Sequence, residues 1–464
     1  MNVLLITTDE HSYAALGCNG NAFLKTPNID RLAREGTSLT RHTCSSPVCT
    51  PARVSMLTGQ YPRSHGAVMV GYDFDAARQT LPHWLATAGY RCAIAGKAHF
   101  EAELNGHAAG HRAGDPYYGF HEAYLTEDIQ HGAYLDWVRA NHPHWYDEVR
   151  RNTHEDDAHC WGITDGRYDA CYKSKLPEEV HASHWIADRS RDFIRRQAAK
   201  GERFFLWTSF VDPHHPWNPV EPFASMYDPA DLPEPLLEAG AHGGPTCGYN
   251  DGSVVPVQEL KRLQAMYYGM ISHIDMQVGR ILDELESAGV LDQTAIIFTS
   301  DHGDHNGNRR MIRKFGGLYD DILRVPMIVR APGIAAAGAS TCGLSQHEDI
   351  APTILSMLNV PVPESVQGVS LLPALKGVGN TGRQFSYFEA GDDSTAGIEG
   401  PRWKCICYDQ GKHHVLTDLQ ADPREMVDRS GDVGCRPVLQ ELRLGLCDWM
   451  LRTPPWHPPK LYGY

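Results

Sequence analysis

A cysteine one helical turn before an arginine, two lysines, and several Asp and His residues at the ends of apolar runs are the groups in this sequence best suited to chemistry on an anion. The stretch Cys49-Thr50-Pro51-Ala52-Arg53, continuing through Val54-Ser55-Met56-Leu57-Thr58-Gly59, predicts one short helix. Thr50 suits the N-cap, Pro51 the first helical position and Gly59 the C-terminal stop, which leaves Cys49 just outside. A side chain there faces unpaired backbone N–H groups and a dipole end worth roughly half a charge. Arg53 lies one turn on and can point to the same spot. The local design is an anion site with a reactive residue inside it. Taken alone, a cysteine before a helix is more often a buried structural residue, so the other clusters must carry the argument.

Four apolar runs end in such clusters. Asn2–Thr8 runs into Asp9-Glu10-His11, Tyr90–Ala95 into Gly96-Lys97-Ala98-His99, Arg203–Val211 into Asp212-Pro213-His214-His215, and Thr294–Thr299 into Ser300-Asp301-His302-Gly303, with Lys314 following. Runs this apolar predict strands buried on both faces of a parallel sheet. Ligands of such sheets sit beyond the strands' C-terminal ends. Asp9, Asp301 and His302 on neighbouring ends, with Glu10 as a further candidate, would make a divalent-metal site.

Helices must connect these strands. The spacing predicts them near Ile29–Ala33, Thr80–Ala88, Glu179–Ala199 and Gln258–Ala288, with a further strand at Val325–Arg330. The alternation predicts an α/β fold, a large mostly parallel sheet sandwiched by helices over residues 1–375. Residues 376–464 predict a smaller C-terminal α+β domain, with antiparallel strands around Phe385–Glu389 and Trp403–Tyr408. Between Glu101 and Pro177, and again between Asp228 and Val257, periodicity is lost, apart from a helix near Gly132–Ala140. The Pro-rich end, Thr453–Pro459, suits a tail that wraps a neighbouring subunit and suggests a homo-oligomer.

Bulk properties narrow the classes. The 464 residues suffice for one large and one smaller domain, and 42% apolar with 21% charged residues is ordinary for a globular protein. A net charge of -15 argues against a nucleic-acid partner, which would need a basic surface. The apolar start is too short for a signal-peptide core and runs straight into Asp9 and Glu10, and no run reaches the roughly 20 apolar residues of a membrane span. The expectation is a soluble cytoplasmic protein with no membrane partner. Its 12 cysteines show no repeated C-x-x-C pairs, so reduced thiols are expected rather than a zinc module.

Cys-x-Pro-x-Arg followed closely by Leu57-Thr58-Gly59 resembles the signature of the type I, formylglycine-dependent sulfatases of the alkaline phosphatase superfamily. Further blocks recur in the family's order along almost the whole chain: Thr26-Pro27-Asn28, Gly96-Lys97-x-His99, Pro213-His214-x-Pro216, Asp301-His302-Gly303, and Asp422-Pro423-Arg424-Glu425. Thr417 stands where the family's closing block usually has an aromatic residue. The resemblance implies an alkaline phosphatase-like fold and a sulfate monoester as the small-molecule substrate. It implies that a formylglycine-generating enzyme converts Cys49 to formylglycine, whose hydrate is the nucleophile and forms a covalent sulfo-enzyme. Arg53, Lys97 and Lys314 would bind the sulfate, His99 would act on the hydrate, and His214 would stand near the leaving oxygen. The metal would be held by Asp9, Asp301, His302 and an oxygen of modified Cys49; Glu10 stands where the family usually has Asp or Gln. Ca²⁺ is the family's usual ion, and the mixed carboxylate and imidazole donors suit Mn²⁺. Phosphonate and phosphate monoester hydrolases share the cysteine signature, but the Lys97/His99 pair favours a sulfatase. A non-catalytic binding protein on this fold would be expected to have lost one of these residues, and none is lost.

Overall fold

The computed structural model describes residues 1–101, 117–128, 132–151, 163–164, 167–243, 255–314, 316–390 and 395–456. Parts of the expected irregular segments 101–177 and 228–257, and residues 457–459 of the expected tail, lie outside them.

Fourteen strands are described. Eight form one sheet: β1 (Asn2–Thr8), β2 (Thr37–Thr43), β3 (Arg91–Gly96), β4 (Glu122–Leu125), β7 (Phe204–Ser209), β8 (Thr294–Ser300), β9 (Met327–Arg330) and β10 (Ala339–Gln346). The strands β5 (Ile163–Thr164) and β6 (Arg167–Tyr168) pair antiparallel as a separate two-stranded sheet. The order in the large sheet is β10-β2-β9-β8-β1-β7-β3-β4, and within it only β9 runs antiparallel to its neighbours. Its parallel core is explained by burial on both faces. Along β1, Leu4 and Ile6 enter one core with the helices Ala182–Lys200 and Val257–Ser287, while Val3 and Leu5 enter the other with Val54, Leu57 and Ile354. The period of two assigns successive residues to opposite layers.

Two details depart from the sequence expectation. Cys49 lies inside its helix, Cys49–Thr58, and Val48 is the N-cap; the first intrahelical bond runs from Ala52 N to Val48 O at 3.1 Å. Pro51, with no N–H, fits anywhere in a first turn whose donors are unpaired, so Thr50-Pro51 does not fix the helix phase. Gly59 does close it, at φ 65°. Edge strands β4 and β10, short or half-polar, were not expected. The tail at Thr453–Trp456 returns to its own chain, with Trp456 N donating to Arg63 O at 2.6 Å.

The C-terminal part is a four-stranded antiparallel sheet of β11 (Ser386–Ala390), β12 (Thr395–Glu399), β13 (Trp403–Tyr408) and β14 (His413–Asp418). One face packs Ile398, Cys405 and Leu416 on Leu442, Leu446 and Trp449 of the helix Arg436–Arg452, which the sequence reading had not predicted. The other packs Phe388 and Ile406 on Cys44, Leu318, Ile322 and Leu323 of the large part. Among the described residues no helix is long and apolar enough to cross a membrane.

Candidate active site

Strands β8, β1, β7 and β3 are consecutive and parallel, so their C-terminal ends share one edge. There β8 delivers Asp301 and His302, β1 delivers Asp9 and Glu10, β7 ends at Ser209 and leads to His214, and β3 leads into Lys97 and His99. The first turn of the Cys49–Thr58 helix faces this edge. Asp9, Glu10, Cys49, Arg53, Lys97, His99, His214, Asp301, His302 and Lys314 are all buried.

Arg53 holds the carboxylates in place. Its Nε donates to Asp301 Oδ2 at 2.8 Å and its Nη2 to Asp9 Oδ2 at 3.1 Å, while Nη1 donates to Lys97 O at 2.9 Å and Ser209 Oγ at 2.7 Å. Both Oδ1 atoms turn the other way. Asp9 Oδ1 lies 3.7 Å from Cys49 Sγ and 3.8 Å from His302 Nε2, and Asp301 Oδ1 lies 3.9 Å from that same nitrogen. Cys49 Sγ is 3.3 Å from His302 Nε2 and accepts from Lys314 Nζ at 2.8 Å.

Glu10, in the left-handed region at φ 60°, turns its carboxylate away from this group. It meets Lys314 Nζ at 3.1 Å, His215 Nδ1 at 3.1 Å and His214 Nε2 at 3.6 Å. His214 Nε2 is also 3.3 Å from Lys314 Nζ and 3.6 Å from Asp128 Oδ2. Lys97 Nζ sits 2.5 Å from Asp9 Oδ2 and pairs with Asp128 as well. His99, at φ 56°, donates its backbone N–H to Glu127 Oε1 at 3.1 Å.

Burial and charge set the protonation states. Burial works against both lysine charges, yet Asp128 and Asp9 raise Lys97 well above its ordinary value, and Glu10 and Asp9 do the same for Lys314. Burial pushes His214 down to about 3 despite Asp128 and Glu10, and burial with Lys97 holds His99 well below its ordinary value. Both imidazoles are neutral near pH 7. Burial, reinforced by Asp9, pushes the Cys49 thiol well up, so it is no thiolate nucleophile in its own right.

The structure therefore brings the expected residues to one edge but divides them. Asp9, Cys49, Asp301 and His302 each offer a ligand atom, all within 4.8 Å of one another, whereas Glu10 groups with His214 and His215. Two carboxylates and a neutral-capable imidazole, with an oxygen in place of Sγ at position 49, form a donor set that fits a hard or borderline divalent ion. Sequence reasoning missed Asp128 and Ser209 and placed no weight on His215. Asp128 follows the unpredicted β4 in a segment without periodicity, so nothing in its spacing marked it.

The sulfatase family model matches residues 1–360, and the N-sulphoglucosamine sulphohydrolase C-terminal model matches residues 311–450. The chain is 32% identical to an arylsulfatase of Clostridium perfringens, over 92% of this chain and 89% of the relative. It is 28% identical to a multifunctional alkaline phosphatase superfamily protein of Trinickia caryophylli, over 97% and 95% of the two chains. The phosphonate monoester hydrolase structure of Agrobacterium radiobacter superimposes with a TM-score of 0.80 at 26% identity, covering 98% of this chain and 96% of that one. The sheet is that of the alkaline phosphatase superfamily. Within it, the chain belongs to the sulfatase family and is a sulfuric ester hydrolase.

Proposed function

We propose that this chain hydrolyses sulfate monoesters at the edge bounded by Cys49, with residue 49 converted to formylglycine by a formylglycine-generating enzyme. The observation that carries the reading is the setting of Cys49: a helix N-terminus, with Lys314 at 2.8 Å and Arg53 one turn on, around a thiol that burial keeps protonated. One divalent ion, Ca²⁺ or Mn²⁺, held by Asp9, Asp301, His302 and residue 49, would supply positive charge for the sulfate and for the nucleophilic oxygen. Formylglycine, as its hydrate, would supply that oxygen in place of sulfur.

The chain's own groups then take these parts. Arg53, Lys97 and Lys314 neutralise the sulfate oxygens and are held beforehand by Asp9, Asp128, Asp301 and Glu10. The residue-49 hydroxyl gives up its proton to solvent before substrate binds; attack of its oxygen on sulfur breaks the bond from sulfur to the ester oxygen, and that leaving oxygen needs a proton. Lys314 Nζ holds one, and the neutral His214 Nε2 at 3.3 Å orients it. Neutral His99 takes the proton of the remaining hydroxyl, so that the aldehyde reforms and sulfate leaves. The catalytic unit in this reading is residues 1–375, with 376–464 as the smaller domain.

A second reading, a phosphonate or phosphate monoester hydrolase with the same nucleophile, is favoured by the phosphonate monoester hydrolase likeness. The deciding experiment compares a sulfate and a phosphonate monoester of one phenol, using enzyme whose residue 49 has been verified as formylglycine by mass spectrometry. A higher kcat/KM for the sulfate is expected. A phosphonate preference would overturn the weight given to Lys97 and His99.

A further inference from the structure

The segment that carries Lys314 is tied down on both sides by one short stretch of the C-terminal part. Upstream, His305 N donates to Arg313 O at 3.0 Å, Gly307 N to Met311 O at 2.9 Å, and Arg313 N to Asp304 Oδ1 at 2.8 Å, which folds residues 305–313 into a tight hairpin. At its tip Arg309 lies 3.8 Å over the Tyr319 ring, pairs with Asp321, and donates from Nη2 to Arg424 O at 2.6 Å. Downstream, Asp320 N donates to Glu425 Oε2 at 2.7 Å.

Glu425 is itself fixed. Its Oε1 meets Lys404 Nζ at 2.5 Å, its carbonyl accepts from Ala241 N at 2.8 Å, and Lys404, fully buried on β13, also reaches Asp320 Oδ1 at 3.1 Å. Gly240 lets the chain pass close by: a Cβ there would lie 2.7 Å from Arg309 Nε and 2.8 Å from Glu425 O. Removing one partner of a buried charge pair strands the other, so Lys404 and Glu425 hold each other to this place. Two consecutive residues thus fix the flanks of Lys314, and neither has a contact to Cys49, His214 or Glu10 among the described interactions.

We propose that Glu425, with the Arg424 carbonyl, positions Lys314 for proton delivery to the leaving oxygen, so that the C-terminal sheet is part of the acid catalyst's support. The proposal rests on the reading of Lys314 as proton donor. A group that places a donor matters most where the leaving oxygen needs the proton most, whereas a merely structural role slows every substrate alike.

The test uses full-length, formylglycine-bearing enzyme and a series of aryl sulfates from 4-nitrophenyl to unsubstituted phenyl sulfate. Lys314→Met should steepen the dependence of kcat on leaving-group pKa. Glu425→Ala should lose about 10-fold in kcat on phenyl sulfate and less than about 2-fold on 4-nitrophenyl sulfate, a fraction of what a full acid catalyst contributes. Glu425→Gln, which keeps an oxygen for Asp320 N but gives up the charge that faces Lys404, should restore part of the loss. Arg309→Met, which cuts the upstream tie alone and serves if Glu425→Ala does not fold, should show the same selectivity to a smaller extent. Equal losses on every ester in these variants would overturn the proposal. A steepened Lys314→Met beside wild-type slopes for Glu425→Ala and Arg309→Met would overturn it alone. A wild-type slope in Lys314→Met would overturn the donor reading and this proposal with it.

Discussion

The two buried lysines of the site are held in opposite ways. Lys97 follows directly on a central strand, and its ammonium is locked between Asp9 and Asp128, both carboxylates. Lys314 rides on a loop and divides its contacts among Cys49, Glu10 and the neutral His214. One charge is balanced within the scaffold, and the other is aimed at Cys49. Stability and activity should therefore separate between them.

Cys49→Ala gives the largest expected effect. It removes the partner of Lys314 and leaves both carboxylates of Lys97 in place, so turnover should fall to background while stability changes by about 1 kcal/mol or less. Retained hydrolysis in that variant would remove residue 49 from the chemistry. Lys97→Met comes next. It leaves Asp128 without its cation and Asp9 with Arg53 alone, so it should cost about 3–5 kcal/mol of unfolding free energy as well as activity. Lys314→Met, which leaves Glu10 beside His214 and His215, should cost activity with a smaller shift in chemical denaturation than Lys97→Met; equal destabilisation of the two variants would erase the distinction.

The smallest effect is a pH dependence on the Lys97 side. Burial raises Glu127 to about 7 although it accepts from Ala98 N and His99 N at 3.2 and 3.1 Å. The folded state then binds more protons than the unfolded one, so this group's stabilisation is complete below its ordinary value of 4.5 and is lost as pH rises through about 7. Glu127→Gln should flatten the decline in stability between pH 5 and pH 8, by on the order of a few kcal/mol. Identical pH slopes for variant and wild type would remove Glu127 as its source.

The difference between the lysines also marks what the sequence could reveal. Lys97, Asp9 and Asp301 were legible because each ends a short apolar run, and parallel strands bring such ends together. The partners that tune them were not. Asp128 sits beyond an edge strand too short to announce itself, and Glu10 turns away through a left-handed backbone that no neighbouring glycine signals. The strand β10 escaped because its half-polar edge sequence, ASTCGLSQ, has no clean alternation. The helix Arg436–Arg452 carried leucines at 439, 442 and 446 and was overlooked; Gly445, whose Cβ would lie 3.0 Å from Ile398 Cδ1, lowers its propensity while letting it approach the sheet.

The complete burial of Cys49 sets an order of events in the life of the chain. The atoms that close over it belong to His302 and Lys314, 253 and 265 residues further along. On a ribosome the cysteine emerges long before its cover is made. In the function proposed above, an enzyme that converts Cys49 would find this segment open during synthesis and shut once His302 and Lys314 have folded over it.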